Sequence, residues 1–146
     1  MKKYGSVFEY KQERDADLMR AYREDIASCK VIHLPEVWKR MANMPSSRFW
    51  VSEERAAIVT RQLMKGEKIE YMRPLKREMF FEIYHRVMVM RKKYPEKSIN
   101  CCCLEVVKGP APKFYMSSLS IRVTIYKIKK QWYNEKMKRT VGLIKK

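Results

Sequence analysis

The sequence contains little glycine and histidine, and this scarcity argues against several classes of active site. Its four glycines are scattered over 146 residues, so no glycine-rich phosphate loop can be placed. Its two histidines, His33 and His85, do not lie in a motif that spaces a carboxylate or a nucleophile as a catalytic site would. The paired carboxylates in EDIAS and SEERA are typical of solvated helix surfaces. We therefore predict a protein that is not an enzyme and that has no cofactor.

Long apolar runs are also absent. No stretch approaches the roughly 20 apolar residues of a membrane span, and no apolar segment follows the basic start MKKYGSVFEY. We expect no membrane partner and no secretory signal. The four cysteines, three of them adjacent, form a poor disulfide framework, which favours a reducing cytoplasmic location.

The adjacent cysteines 101–103 raise the question of a metal site, with Cys29 or His33 as a further ligand. Zinc sites use paired cysteines two to four residues apart, so that two sulfurs converge on one ion. Neighbouring residues on a helix instead point about 100° apart. Core packing as small hydrophobic side chains is the favoured interpretation, and we predict no metal site.

The positive charge is large and unevenly distributed. The formal net charge is +17; residues 1–65 carry 13 basic and 9 acidic residues, whereas residues 66–146 carry 20 and 7. This excess predicts a polyanionic partner that contacts the C-terminal half. Nucleic acid is favoured, since Lys and Arg contacts to phosphate supply most non-specific affinity. A solvated basic surface and an anionic membrane are the alternatives.

An internal similarity suggests that one folding unit occurs twice. PSSRFWVS at residues 45–52 aligns with PAPKFYMS at residues 110–117, an offset of 65 (110 − 45). Four apolar residues in 34–41 fall at i, i+3, i+4 and i+7, on one helix face. The residues 65 positions later are Ile99, Cys102, Cys103 and Val106, so the apolar stripe recurs in register. A divergent tandem duplication is favoured, with units at 1–66 and 67–146.

Each unit reads as helix, short helix, turn and helix. In the first unit the apolar spacing predicts helices over 14–29, 34–43 and 52–65, with Ser52 as a cap and the stop near Gly66. Residues 117–130 are ambiguous between strand and helix, and the relationship between the units favours helix. The layout resembles the helix-turn-helix architecture, although the turn is longer than usual. We predict a mainly α fold of two helix-turn-helix-like units packed as one compact protein.

Basic and aromatic side chains are interleaved in the last predicted helix and its tail. Such side chains contact phosphates and stack on bases, whereas the corresponding helix of the first unit opens with Glu53 and Glu54. Arg48 and Lys113 stand in the turns before helix starts, where backbone amides favour an anion. The predicted contact residues are Arg48, Lys113, Arg122, Tyr126, Lys127, Lys129, Lys130, Lys136, Lys138 and Arg139. The alternatives are an amphipathic helix with a solvated basic face and, for the two turn residues, plain surface charges.

These observations predict a non-catalytic nucleic-acid-binding protein that acts as a regulator or an architectural protein. DNA is favoured over RNA, and homo-oligomerisation is left open. The alternative is a small structural or assembly component of a phage or mobile-element complex. Such a component would form a large assembly without nucleic acid, whereas a regulator would bind as a monomer or dimer.

Overall fold

The protein is built from α-helices. A computed structural model describes residues 2–144, and the side chains between residues 10 and 142. Within that range six helices and no strand are found: α1 (Lys2–Ala27), α2 (Leu34–Met41), α3 (Glu53–Met64), α4 (Pro74–Lys93), α5 (Ile99–Lys108) and α6 (Ser118–Ile144). The prediction of a mainly α fold is confirmed. The ambiguous stretch 117–130 is helical from Ser118 onward.

Local signals mark most of the helix ends. Ser52 Oγ accepts a hydrogen bond of 3.1 Å from the Arg55 backbone at the start of α3. Gly66 follows that helix with a φ of 82°, a left-handed conformation that glycine adopts readily. Two helices are longer than expected, because α1 begins at Lys2 rather than residue 14 and α6 continues to Ile144.

Three helices form the first of two hydrophobic cores, here named the α1–α2–α6 core. The apolar stripe of each helix faces the other two, and Tyr22 stacks on Trp38 with ring centroids 5.7 Å apart. Its buried members are Leu18, Met19, Ala21, Tyr22, Val37, Trp38, Met41, Phe114, Ile121, Ile125 and Ile128. Each large side chain buried here stabilises the fold by about 1.5–3 kcal/mol.

The remaining helices form the α3–α4–α5 core. Its centre holds Phe49, Phe80, Ile83 and Val87, each no more than 1% exposed. Cys102 and Cys103 are fully buried in the same cluster, and the Cys103 thiol donates to Thr60 Oγ1 at 3.7 Å. These two cysteines therefore pack as small core residues.

The third helix of each half packs with the other half of the chain. α3 follows α2 in the sequence but packs on α4 and α5, and α6 follows α5 but packs on α1 and α2. Phe49 and Phe114, which precede α3 and α6, enter the same cores as those helices. Neither residues 1–66 nor residues 67–146 build a core alone. Each core contains residues from both sides of Gly66, and the division of the sequence into two units stays a prediction.

The two octapeptides contact each other just before α3 and α6, the helices that pack with the other half of the chain. Ser46 and Ala111 pair through backbone hydrogen bonds, and both side chains are buried. Around this bridge Arg20 donates to the Pro45 carbonyl at 3.2 Å, and Arg86 donates to the Pro110 carbonyl at 2.7 Å. The two prolines are 65 residues apart in the sequence. The arrangement is compatible with two related units, and the duplication stays a prediction.

Candidate nucleic-acid interface

Helix α6 carries most of the predicted contact residues. Ser117 Oγ accepts a hydrogen bond of 3.1 Å from the Ser120 backbone and caps the helix start. Ile121, Ile125 and Ile128 follow at i, i+4 and i+7 and are buried in the α1–α2–α6 core. One face of α6 is thereby anchored, and its other faces are left to solvent.

The C-terminal part of α6 projects beyond the packed body. Ile128 is the last buried residue of the helix, and every residue from 129 to 142 is exposed. At about 1.5 Å per residue this segment is roughly 20 Å long. The sequence carries Glu135 as the single carboxylate between Ser118 and Ile144. The segment is therefore a basic and exposed helix, which α1 contacts near its start through Tyr22 with Lys129 and through Arg23 with Trp132.

A row of cations and amides follows one side of α6, here named the basic row. Its members Lys127, Lys130, Gln131, Asn134 and Lys138 line a shallow concavity together with Glu135. Their spacing of i, i+3, i+4, i+7 and i+11 keeps them on one side of the helix. Among the described residues no carboxylate forms an ion pair with these three lysines, so their charge is directed to solvent.

The two amides of the basic row were missed in the sequence. Gln131 and Asn134 lie between the lysines, and Gln131 Nε2 donates to Glu135 Oε1 at 3.4 Å. Amide side chains hydrogen-bond both phosphates and base edges. Gln131 and Asn134 follow Lys127 by four and seven residues, and this spacing already indicated that they share its side of the helix. The sequence-based choice considered only charged and aromatic residues.

Two predicted cations on α6 contact aromatic rings. Lys129 donates to the Tyr22 hydroxyl, and its Nζ lies 4.3 Å from the Tyr22 ring centroid. Arg122 lies over Tyr126 at 5.7 Å. Tyr126 also meets Trp38 edge-on, with centroids 5.8 Å apart. Lys129 therefore ties α6 to α1, and Arg122 with Tyr126 lies at the edge of the core.

The remaining predicted cations divide into two groups. Lys136 and Arg139 are exposed on the projecting segment of α6, close to the basic row but on other sides of the helix. Arg48 lies between the rings of Tyr10 and Trp50, at 4.7 and 5.4 Å from their centroids. Its guanidinium also donates to two backbone carbonyls of its own turn.

Lys113, the counterpart of Arg48 in the second octapeptide, has an acidic partner. Its ammonium pairs with Glu78 of α4 and lies 5.6 Å from the Tyr115 ring centroid. Both turn cations thus have intramolecular partners and lie apart from the basic row. We leave Arg48 and Lys113 out of the proposed interface.

Among the described residues, neither a metal site nor a membrane-spanning helix accompanies the basic row. In residues 10–142 no three side chains of His, Cys, Asp or Glu come together as metal ligands would. The described helices include none that combines the length and apolar character needed to span a bilayer. Comparison with protein-family models, with curated proteins and with solved structures gave no match to this chain.

Proposed function

We propose that the protein binds nucleic acid through the basic row of α6, as a non-catalytic regulator or architectural protein. The supporting observation is a set of lysines on the exposed part of α6 that form no ion pair with a carboxylate among the described residues. Lysines in such surroundings release condensed counterions when they contact phosphates, which favours binding at low salt.

Duplex DNA suits this helix better than duplex RNA. A single α-helix is about 10–12 Å across with its side chains, and the major groove of B-form DNA is about 12 Å wide. The major groove of A-form RNA is deep and too narrow for side chains to read. Gln131 and Asn134 lie within the row, and amides of this kind pair with adenine in the major groove.

A salt-titrated binding assay tests the proposal. Fluorescence anisotropy would compare labelled duplex DNA, single-stranded DNA and RNA of one sequence between about 50 and 200 mM salt. We expect the tightest binding to duplex DNA and a steep fall in affinity as salt rises. Absence of binding at the lowest salt, or an affinity that does not change with salt, would refute the proposal.

A role as a small assembly component is the second candidate. The observation in its favour is the exposure of several large apolar side chains along α6. Light scattering with and without DNA separates the candidates. A large assembly formed by the protein alone favours the second, and a monomer or dimer that binds duplex favours the first.

A further inference from the structure

A second apolar stripe runs along α6, on the side away from its buried isoleucines. Its large members are 44–63% exposed although they are apolar or aromatic: Leu119, Val123, Tyr126, Tyr133 and Met137. We name these five residues the apolar ridge. Scattered exposed apolar residues are normal, but a continuous line of them marks an interaction surface.

The spacing of the ridge follows a heptad pattern. Val123 follows Leu119 by four residues, and Tyr126 follows Val123 by three. The same spacing of four and three then leads from Tyr126 to Lys130 and from Lys130 to Tyr133. Met137 then follows after four residues. At about 100° per residue the ridge lies roughly opposite the buried face. Such a line is the a and d seam by which one helix packs along another.

Cations flank the ridge on both sides. On one side Arg122, Lys129 and Lys136 each come directly before a seam position, although Lys129 also donates to the Tyr22 hydroxyl. Lys127 lies on the other side. Lys130 lies within the seam itself. Glu135, the one carboxylate of the helix, falls on the side that continues the buried face. The ridge is therefore an apolar seam that is flanked by positively charged side chains.

A second copy of α6 does not fit this seam. In a parallel pair Arg122 would face Lys127 of the other chain, and the two Lys130 side chains would meet in the seam. Like charges at such positions are destabilising, and flanking charges determine partner choice in coiled coils. The complementary occupant carries carboxylates where α6 carries cations.

We infer that the apolar ridge binds an acidic amphipathic helix of a different protein. The partner helix packs its apolar a and d residues on Tyr126, Tyr133 and Met137, and its carboxylates face the flanking cations. A polar residue at one a position sets register in coiled coils, and Lys130 takes that place opposite a partner carboxylate. This inference shares Lys127 and Lys130 with the basic row, but its test replaces Leu119, Val123, Tyr133 and Met137, which the nucleic-acid proposal does not use.

A designed peptide probes the ridge directly. The peptide has four heptads with Leu and Ile at a and d, Glu at e and g, and one Glu opposite Lys130. Its own carboxylates keep it from pairing with itself, so helicity gained on mixing reports binding. One control peptide carries Lys at e and g, and a second has the acidic composition in scrambled order. We expect binding of the heptad acidic peptide alone.

Variants separate the seam from simple charge attraction. Tyr133→Gln with Met137→Gln should weaken peptide binding by about tenfold or more, since two apolar contacts are lost. Gln keeps the helix, and both residues are exposed, so circular dichroism should be unchanged. Leu119→Gln with Val123→Gln gives an independent second test. Duplex DNA affinity should stay at the wild-type level in both variants.

Four results would overturn the inference. The scrambled peptide could bind wild-type protein as tightly as the heptad acidic peptide does. Both ridge variants could bind the heptad acidic peptide with the wild-type affinity. Both ridge variants could lose DNA affinity while no peptide binds, which would assign the ridge to nucleic acid. Sedimentation equilibrium could reveal a dimer of the free protein that the ridge variants abolish, which would make the occupant a second copy.

Discussion

Ser46 and Ala111 exchange two backbone hydrogen bonds, each 3.0 Å long from the amide nitrogen of one residue to the carbonyl oxygen of the other. The two residues are 65 positions apart (111 − 46), which is also the offset between the starts of α3 and α6. Reciprocal pairing of equivalent positions is the arrangement found across a two-fold axis. This pairing is compatible with the proposed duplication, which stays a prediction.

Exchange of the third helices predicts that neither half folds alone. A fragment of residues 1–66 lacks α4 and α5 around Phe49, and a fragment of residues 67–146 lacks α1 and α2 around Phe114. Circular dichroism should find each isolated fragment largely unfolded as a monomer, and mixing them should restore native helicity. A monomeric fragment that unfolds cooperatively by itself would contradict the observed exchange.

Asp17 should contribute strongly to stability, because it connects α1 to the first octapeptide. Its Oδ2 accepts from Ser46 Oγ, the Ser47 amide and Ser47 Oγ, at 2.9–3.1 Å, and its side chain is buried. Asp17→Ala should lower the free energy of unfolding by about 2–3 kcal/mol in urea denaturation. Glu24→Ala removes an exposed ion pair with Arg20 and should cost less than about 1 kcal/mol.

The contribution of Asp17 should depend on pH. Burial alone would raise the pKa of this carboxyl, but hydrogen bonds from Ser47 and Arg20 outweigh burial and hold the pKa below its ordinary value of 3.8. A lowered pKa stabilises the fold above the unfolded pKa, and this stabilisation is lost as pH falls through the folded pKa. The stability difference between wild type and Asp17→Ala should therefore be constant from pH 7 to pH 5. It should narrow below pH 3.8; a difference that widens there would contradict the assignment.

The four cysteines should react at two distinct rates. Cys101 is exposed and Cys29 is partly exposed, whereas Cys102 and Cys103 are fully buried. Burial also raises the pKa of the Cys102 and Cys103 thiols, which lowers their thiolate fraction. A disulfide reagent at pH 8 should modify Cys101 and Cys29 first and the other two only as the protein unfolds.

Elemental analysis of the untreated protein should find no stoichiometric zinc.

The sequence patterns predicted where the helices lie but not which helices pack against each other. The relationship between the two units favoured a helix over 117–130 despite its alternating pattern, and Ile121, Ile125 and Ile128 are buried on one face of that helix. The Ser52 cap was also as expected. The exchange of α3 and α6 could not be predicted from such signals. An apolar stripe shows which face is buried, but it does not show which of two similar helix pairs covers it.

The roles of individual cations were equally hidden in the sequence. Arg48, Lys113 and Lys129 look like solvent-facing charges in a basic chain, yet each contacts an aromatic ring. These contacts join residues far apart in the chain, such as Tyr22 and Lys129, so local spacing carries no signal for them. Lys127, Lys130 and Lys138 remain directed to solvent in the basic row.

The salt dependence of DNA binding in a triple variant of the basic row tests the central proposal most directly. Lys127, Lys130 and Lys138 would each be replaced by Gln, and Lys65, Lys92 and Lys108 form a matched control that removes the same charge from exposed sites on the α3–α4–α5 side. Each lost phosphate contact should reduce the slope of log affinity against log salt by roughly 0.9, so three should reduce it by about 2.7. We predict this reduction in the test variant and a slope close to wild type in the control. A test variant with the wild-type slope, or a control that loses as much, would contradict binding through the basic row of α6.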